Sequence, residues 1–422
     1  MHAQSASVEN SLAHTKLETA LAENQSQSTS IASLSSEILS CIFQKHRGID
    51  RGSQSNDDTQ PSIRVSHVST TWREVALSSP TLWTNIVSSP THLKDFYDAV
   101  LLRSQQSLLN VTITLTENDV ASSKAVESAG MLAEIIVSHA HRLHTLHITA
   151  TNDFLSIHIP AMHALSAPRM TELELESSTT DTFDDVPVLI DLDDDSESEP
   201  VIKQIFNGGA GSLSDFSSRN IPWHIQPPLS EIKTLHLNSS VLTCKVLNDV
   251  LRDASRMVTH MEIATLNIFS PQQSPPSITM PSLLSAELTG TSASCFTLLG
   301  MIEGPSMVEL RMGATRPSSS HVLDRTAKRF PKLRSLELIG RFARGVLVAF
   351  PTVACLYLAD IAEWPQDTSD ILDPNQAGFS DLLPGLEWIT TSSKHSNAVI
   401  AFCEARHSQG LSIPQIMSAV GF

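Results

Sequence analysis

The sequence predicts an α/β chain in two parts. A small N-terminal block of three helices comes first, followed by a solenoid whose coils each give one short strand to a long parallel sheet. Three observations predict this. Apolar residues between Leu34 and Ala76 recur at helical spacing. From Leu143 onward, apolar residues recur as a pair three apart plus a third two further on, at a nearly constant period. Finally, 422 residues that are 41% hydrophobic but only 5% aromatic are long for one compact core and suit an extended one filled by Leu, Ile, Val and Ala.

Charge and cysteine usage narrow the function classes. The net charge of −17 argues against unaided nucleic-acid binding. Nine carboxylates and no Lys or Arg lie within Asp181–Glu199, so much of the imbalance is local. The five cysteines, Cys41, Cys244, Cys295, Cys355 and Cys403, form no C-x-x-C and sit mostly among apolar neighbours, which predicts free buried thiols in a reducing compartment. No apolar N-terminal run resembles a signal peptide, and no run of eighteen apolar residues could span a bilayer, so a cytoplasmic or nuclear protein with no membrane partner is expected.

The helical block is built from two amphipathic segments. Leu34, Ile38, Leu39, Ile42 and Phe43 fall on one helical face, with Glu37 near its positive N-terminal end. Val65, Val68, Trp72, Val75 and Ala76 define a second such face, which Pro80 terminates. Leu82, Trp83 and Ile86 follow. Helices this short cannot bury all these side chains among themselves, so part of the surface is expected to face a partner or the next domain.

These residues resemble an F-box, in the variant common in large fungal families. The family pattern L-P-x-E-[IL]-[IL]-x-x-I-F is met by Leu34, Ser35, Glu37, Ile38, Leu39, Ile42 and Phe43. Its V-C-x-x-W-R-x-[IV]-A is met by Val68, Ser69, Trp72, Arg73, Val75 and Ala76, and its P-x-L-W by Pro80, Leu82 and Trp83. Ser35 replaces the usual proline and Ser69 the usual cysteine, and a polar insert, Arg47–Pro61, separates the two segments. The resemblance implies that Leu34, Ile38, Leu39, Ile42, Phe43, Val65, Val68 and Trp72 dock on the Skp adaptor of a cullin-based SCF ubiquitin ligase, some of them holding the block's own core instead.

In chain order, residues 1–30 read as a flexible leader and 31–90 as the F-box-like domain. His92–Gln106 is helical in pattern and Leu108–Leu115 alternates as a strand does. The repeating triplets then run Leu143/Leu146/Ile148, Met170/Leu173/Leu175, Ile232/Leu235/Leu237, Val258/Met261/Ile263, Leu283/Ala286/Leu288, Met307/Leu310/Met312, Leu333/Leu336/Leu338 and Val353/Leu356/Leu358, with Leu386 to Ile389 as a degenerate last member. Their central residues step by 27, 62, 26, 25, 24, 26 and 20. A period near 26 with L-x-x-L-x-L is similar to that of leucine-rich repeats, which implies a horseshoe solenoid over residues 91–422.

The step of 62 contains an acidic, Ser-, Gly- and Pro-rich segment, 177–228, expected to be a disordered insertion. Within it Val188, Leu189, Ile190 and Leu192, followed by acids, resemble a SUMO-interacting motif, in which a short apolar strand adds to a sheet edge.

Catalytic and cofactor signatures are missing. Gly208–Gly211 lacks the lysine and hydroxyl residue of a phosphate loop, and neither G-x-S-x-G nor H-E-x-x-H occurs. His139, His141, His144 and His147 read as histidines beside a strand rather than metal ligands. No cofactor or metal is expected, and the chain reads as a non-catalytic subunit. Residues flanking the central apolar position of each strand would line the concave face and take the target: His147, Glu174, His236, Glu262, Glu287, Arg311, Glu337 and Tyr357, with Thr145, Glu172, Asn238 and Glu309. Acids prevail there, which suits a partner offering basic or hydrogen-bonding groups. Two further classes stay open: a scaffold acting without ubiquitin transfer, which fits the same residues and which the two departures from the F-box pattern favour slightly, and, distantly, a hydrolase or transferase with a hidden pocket.

Deleting Pro187–Glu199 is expected to leave the melting temperature nearly unchanged and to remove any binding to SUMO. A large fall in melting temperature would show instead that the segment is packed.

Overall fold

The computed structural model describes residues 34–49, 61–178, 203–221, 225–269, 277–316, 326–340, 342, 345–359, 372, 382–391 and 396–418. They divide into two compact units, one reaching Ile86 and taking in Leu93–Leu108, the other holding Val87–His92 and everything from Leu109 on. The leader, the insert after Ile49 and the SUMO-motif residues lie outside the described residues.

In the first unit, helices α1 (Ser36–Ile49), α2 (Pro61–Ser66), α3 (Thr70–Leu77) and α4 (Lys94–Ser104) gather around a 3₁₀ turn, Pro80–Trp83. The two serines that depart from the F-box pattern both serve helix starts. The Ser35 hydroxyl accepts the Ile38 N–H at 3.5 Å, and the Ser69 hydroxyl accepts the Trp72 N–H at 3.2 Å. Each satisfies a donor that a first helical turn leaves orphaned. The core holds Leu39, Phe43, Val75, Ala76, Leu82, Trp83, Tyr97 and Val100. Trp72 packs on Phe43 with ring centroids 5.0 Å apart. Trp83 donates its indole N–H to the Ala76 carbonyl at 2.8 Å, and the Arg103 guanidinium lies 4.5 Å from its ring centre. This stacking on Trp83, with burial of Tyr97 and Val100, holds α4 in the first unit, so Leu93–Leu108 groups with the helical block while Val87–His92 groups with the repeats.

Among the described residues the large sheet has thirteen strands, neighbours in chain order. They are β1 (Asn85–Val87), β2 (Leu109–Leu115), β3 (Leu143–Ala150), β4 (Glu172–Ser177), β5 (Asp215–Arg219), β6 (Thr234–Thr243), β7 (His260–Phe269), β8 (Ser285–Thr291), β9 (Glu309–Arg316), β10 (Ser335–Gly340), β11 (Cys355–Ala359), β12 (Trp388–Thr391) and β13 (Gln415–Ser418). From β2 onward each neighbouring pair is parallel. This is the α/β solenoid with one strand per coil that the repeating triplets predict.

Register is fixed by the apolar triplets. The central residues align as Val111, Leu146, Leu173, Phe216, Leu235, Met261, Ala286, Leu310, Leu336, Leu356 and Ile389, all buried. A one-residue slip would turn that whole row to solvent. Helices cover the inward side. α5 (Ser123–His139) buries Ala125, Ala129, Leu132, Ala133 and Ile136, α6 (Cys244–Ala254) buries Leu247, Val250 and Leu251, and α7 (Ser292–Met301) buries Cys295, Leu298 and Leu299. Where β8 meets β7, a Cβ on Gly290 would come 1.8 Å from the Thr265 carbonyl oxygen, so only glycine fits there.

The structure corrects the reading of 177–228. Residues 203–221 are not a loop but one more coil, and β5 lies between β4 and β6. Its apolar positions are Leu213, Phe216 and Ser218, so the third member is polar and the triplet is masked. The glycines at 208–211 form a turn tied to the preceding coil. Phe206 donates its N–H to the Met162 carbonyl at 2.9 Å, and Gly208 to that of Leu165 at 3.0 Å. A Cβ on Gly208 would lie 2.8 Å from that same Leu165 oxygen. A second correction comes at the C-terminal end, where β13 follows the strand predicted as the last member.

The last coils are joined by an unexpected charge. Arg406 of α8 (Ser396–Ser408) is fully buried. Its guanidinium donates to the carbonyls of Leu382 and Leu383, each at 3.0 Å, to Pro384 at 3.4 Å and, through Nε, to Ser412 at 3.0 Å. The Phe402 ring lies 5.6 Å away.

Phe216→Ala is expected to destabilise the repeat unit by roughly 3–5 kcal/mol, as a buried aromatic deletion does. Chemical denaturation of the full chain reads this as a lower midpoint. An unchanged midpoint would return the segment to the status of a loop.

Candidate functional site

Two surfaces gather the residues that the sequence singles out. In the first unit the eight expected docking residues divide. Leu39, Phe43 and Val65 are buried and serve the block's own core, the division among these eight residues that the sequence left open. Their cause is helical geometry, since α1 turns Leu39 and Phe43, four apart, to the inside. Ile38 and Ile42, also four apart, stay exposed at 49% and 43%, and Val68 at 60%. Leu34 and Trp72 are half-buried. At the start of α1 the Glu37 carboxyl is held below its usual range, first by a hydrogen bond from Ser35.

In the second unit the sheet's other face carries the polar residues. Register sets eight expected residues on a single row: His147, Glu174, His236, Glu262, Glu287, Arg311, Glu337 and Tyr357, with Ser217 of the hidden strand between Glu174 and His236. Ser217 could not be foreseen because its strand was not. A second row, two residues earlier on each strand, runs Glu172, Asp215, Thr234, His260, Ser285, Glu309 and Ser335.

Polar and charged contacts run along the row across strands. His147 lies 3.3 Å from Glu172 and 2.9 Å from Glu174. His236 lies 2.8 Å from Glu262. Arg311 spans two rungs, with Nη1 3.4 Å from Glu287 and Nε 3.4 Å from Glu337. A depression of about 330 Å³ opens over this part of the face, from His236 to Glu337. The carboxyls respond in opposite directions. The hydrogen bond from His147 lowers Glu174 below the ordinary carboxylate value, against a smaller effect of burial. Burial raises Glu287, and although Arg311 opposes this, the neighbouring Glu262 and Glu337 add to the rise.

The four clustered histidines do not form a site together. Burial, then Arg142 and His141, lower the His139 pKa, the His144 ring lies 3.3 Å from the Thr171 hydroxyl, and His147 belongs to the charged row. Among the described residues no group of three or more His, Cys, Asp or Glu could hold a metal ion, and no helix is long and apolar enough to cross a membrane. Burial pushes the Cys295 thiol up to about 12, far from a reactive thiolate. Cys41, expected to be buried, is exposed.

The class that this fold defines is a solenoid of parallel strands with an open, charged sheet face. No protein family matches the sequence, and no curated protein matches it. Among solved structures, one similar chain is a protein from Bacteroides fragilis, at 10% identity over 76% of each chain with a TM-score of 0.28. Another comes from the complex of Rad7 and Elc1 in yeast, at 13% identity over 92% of this chain and 93% of that one, with a TM-score of 0.25. Neither similarity assigns the chain to a family.

Glu174 supplies a pH dependence with a definite sign. Its folded pKa is depressed, so its pairing with His147 stabilises the fold above the ordinary carboxylate value of 4.5 and is lost as pH falls through the lower folded value. His147→Ala is therefore expected to lower the melting temperature near neutrality, with the difference from the parent closing as pH falls through the lowered Glu174 value. Thermal melts of both proteins across pH check this, and a difference independent of pH would refute it.

Proposed function

We propose that this chain is the substrate-recognition subunit of an SCF-type ubiquitin ligase. Its helical block acts as an F-box that holds a Skp-type adaptor, and through it a cullin, while the repeat solenoid holds a target protein. One observation carries the reading. The residues that match the F-box pattern divide into a packed core, with Leu39, Phe43 and Trp83, and an outward set, Ile38, Ile42 and Val68. A block that both folds and docks needs that division, whereas a plain helical subdomain has no use for three large exposed apolar side chains at motif positions. Ser35 and Ser69, which depart from the motif, cap their helices through their hydroxyls and so do not count against it.

The contribution to ubiquitin transfer is proximity. A target on the sheet face meets a charged thioester carried elsewhere in the assembly at high effective concentration, and this chain supplies no reacting group. A cytoplasmic or nuclear location accords with this role. The second reading, a scaffold that binds the target without ubiquitin transfer, uses the same sheet face and differs in needing no adaptor.

The triple substitution Ile38→Asp, Ile42→Asp and Val68→Asp in the full chain is expected to reduce capture of a purified Skp-type adaptor by at least about a hundredfold, because interface cores tolerate no unpaired charge. The melting temperature should move by no more than about 2 °C, as for exposed positions generally. Phe43→Ala should lower it markedly. Adaptor capture undiminished by the triple substitution would overturn the assignment.

A further inference from the structure

On the open face, Glu262 of β7 and Glu287 of β8 occupy directly opposed positions in the parallel register. Adjacent rungs lie about 4.8 Å apart, and like charges so placed destabilise a sheet unless a cation joins them. Along the row their basic neighbours stand on the outer flanks, His236 at 2.8 Å from Glu262 and Arg311 at 3.4 Å from Glu287, while His260 of the row before lines the same depression. The two strands being adjacent, the register puts no further rung between the two acids.

The same row contains a worked solution one rung away. Glu287 and Glu337 stand on either side of Arg311, whose planar guanidinium reaches both through different nitrogens. A guanidinium is suited to this because its fixed fork of donors can serve two carboxylates at once. The Glu262 and Glu287 pair has the carboxylates without the fork. Beside it, the row two residues earlier on each strand, His260, Ser285 and Glu309, lines the depression together with the two carboxylates. The depression of about 330 Å³ lies over these strands, large enough to admit a side chain from outside.

We propose that this depression is a subsite for an arginine side chain of a target peptide, whose guanidinium bridges Glu262 and Glu287 as Arg311 bridges Glu287 and Glu337. The inference deepens the reading of the sheet face as the target surface and rests on it.

The test uses the full chain and two labelled peptides, acetyl-Gly-Ser-Arg-Gly-Arg-Ser-Gly-amide and the same peptide with citrulline, the neutral isostere, at both arginine positions. The arginine peptide is expected to bind at least about tenfold more tightly than the citrulline peptide, and to lose about tenfold in the variant Glu262→Gln/Glu287→Gln, the scale of a charge-assisted pair on a part-exposed face. The variant Asp95→Asn/Asp98→Asn changes net charge equally in the first unit and should bind as the parent does. Equal binding of the two peptides, or equal losses in the two variants, would overturn the subsite by showing no role for these two carboxylates. Adaptor capture by the same Glu262→Gln/Glu287→Gln protein is measured in parallel. Intact capture with no selective peptide binding removes this site alone, whereas failed capture by the parent strikes at the ligase reading.

Discussion

The repeat unit depends on one constraint, that the central apolar residue of each strand is covered by its neighbours in register. Leu146, Leu173, Leu235 and Leu336 are each fully buried in that row, and burying such a side chain contributes about 1.5–3 kcal/mol. No strand can meet this need alone. Each coil therefore borrows its core from the next, and stability becomes a sum of interfaces along the chain. Helices α5, α6 and α7 finish the inward side.

That same constraint writes the other face. Once the apolar row is fixed, the alternating pleat obliges the residues beside it to stand in rows of their own, rung against rung. Charges placed on successive strands are then neighbours whether or not they suit one another. His147 between Glu172 and Glu174, and Arg311 between Glu287 and Glu337, are arrangements in which they do. Glu262 against Glu287 is one in which they do not. The shape of the face thus follows from packing, and its chemistry from the choice of side chain at each rung.

How far the sequence disclosed this depends on where the information resides. Periodicity located the triplets from Leu143 to Leu358 because burial demands apolar residues at each position, and their offsets named the row of face residues correctly. It missed β5 because Ser218 stands where the third apolar residue belongs, and because the preceding segment stretches the spacing to Phe216. It missed β13 because the triplet positions there are Ile413, Ile416 and Ser418, the third of them polar. In the helical block, spacing selected Leu34, Ile38, Leu39, Ile42 and Phe43 as one face but could not divide it. That division depends on where α3 and the Pro80–Trp83 turn lie against α1, which is tertiary information. Arg406 gave no signal, since a lone arginine in a helical pattern reads as a surface residue.

Arg406 also bears on how the stack ends. Its planar cation gathers carbonyl groups from two separate turns, Leu382 to Pro384 and Ser412, that no ladder could pair. A lysine would keep the charge and leave most of these oxygens dry and unanswered, because an ammonium cannot fan out across four acceptors in one plane. The final coil is therefore knotted by geometry rather than by grease. Conservative exchange at this one position would loosen the tail of the molecule while the middle of the stack went on undisturbed.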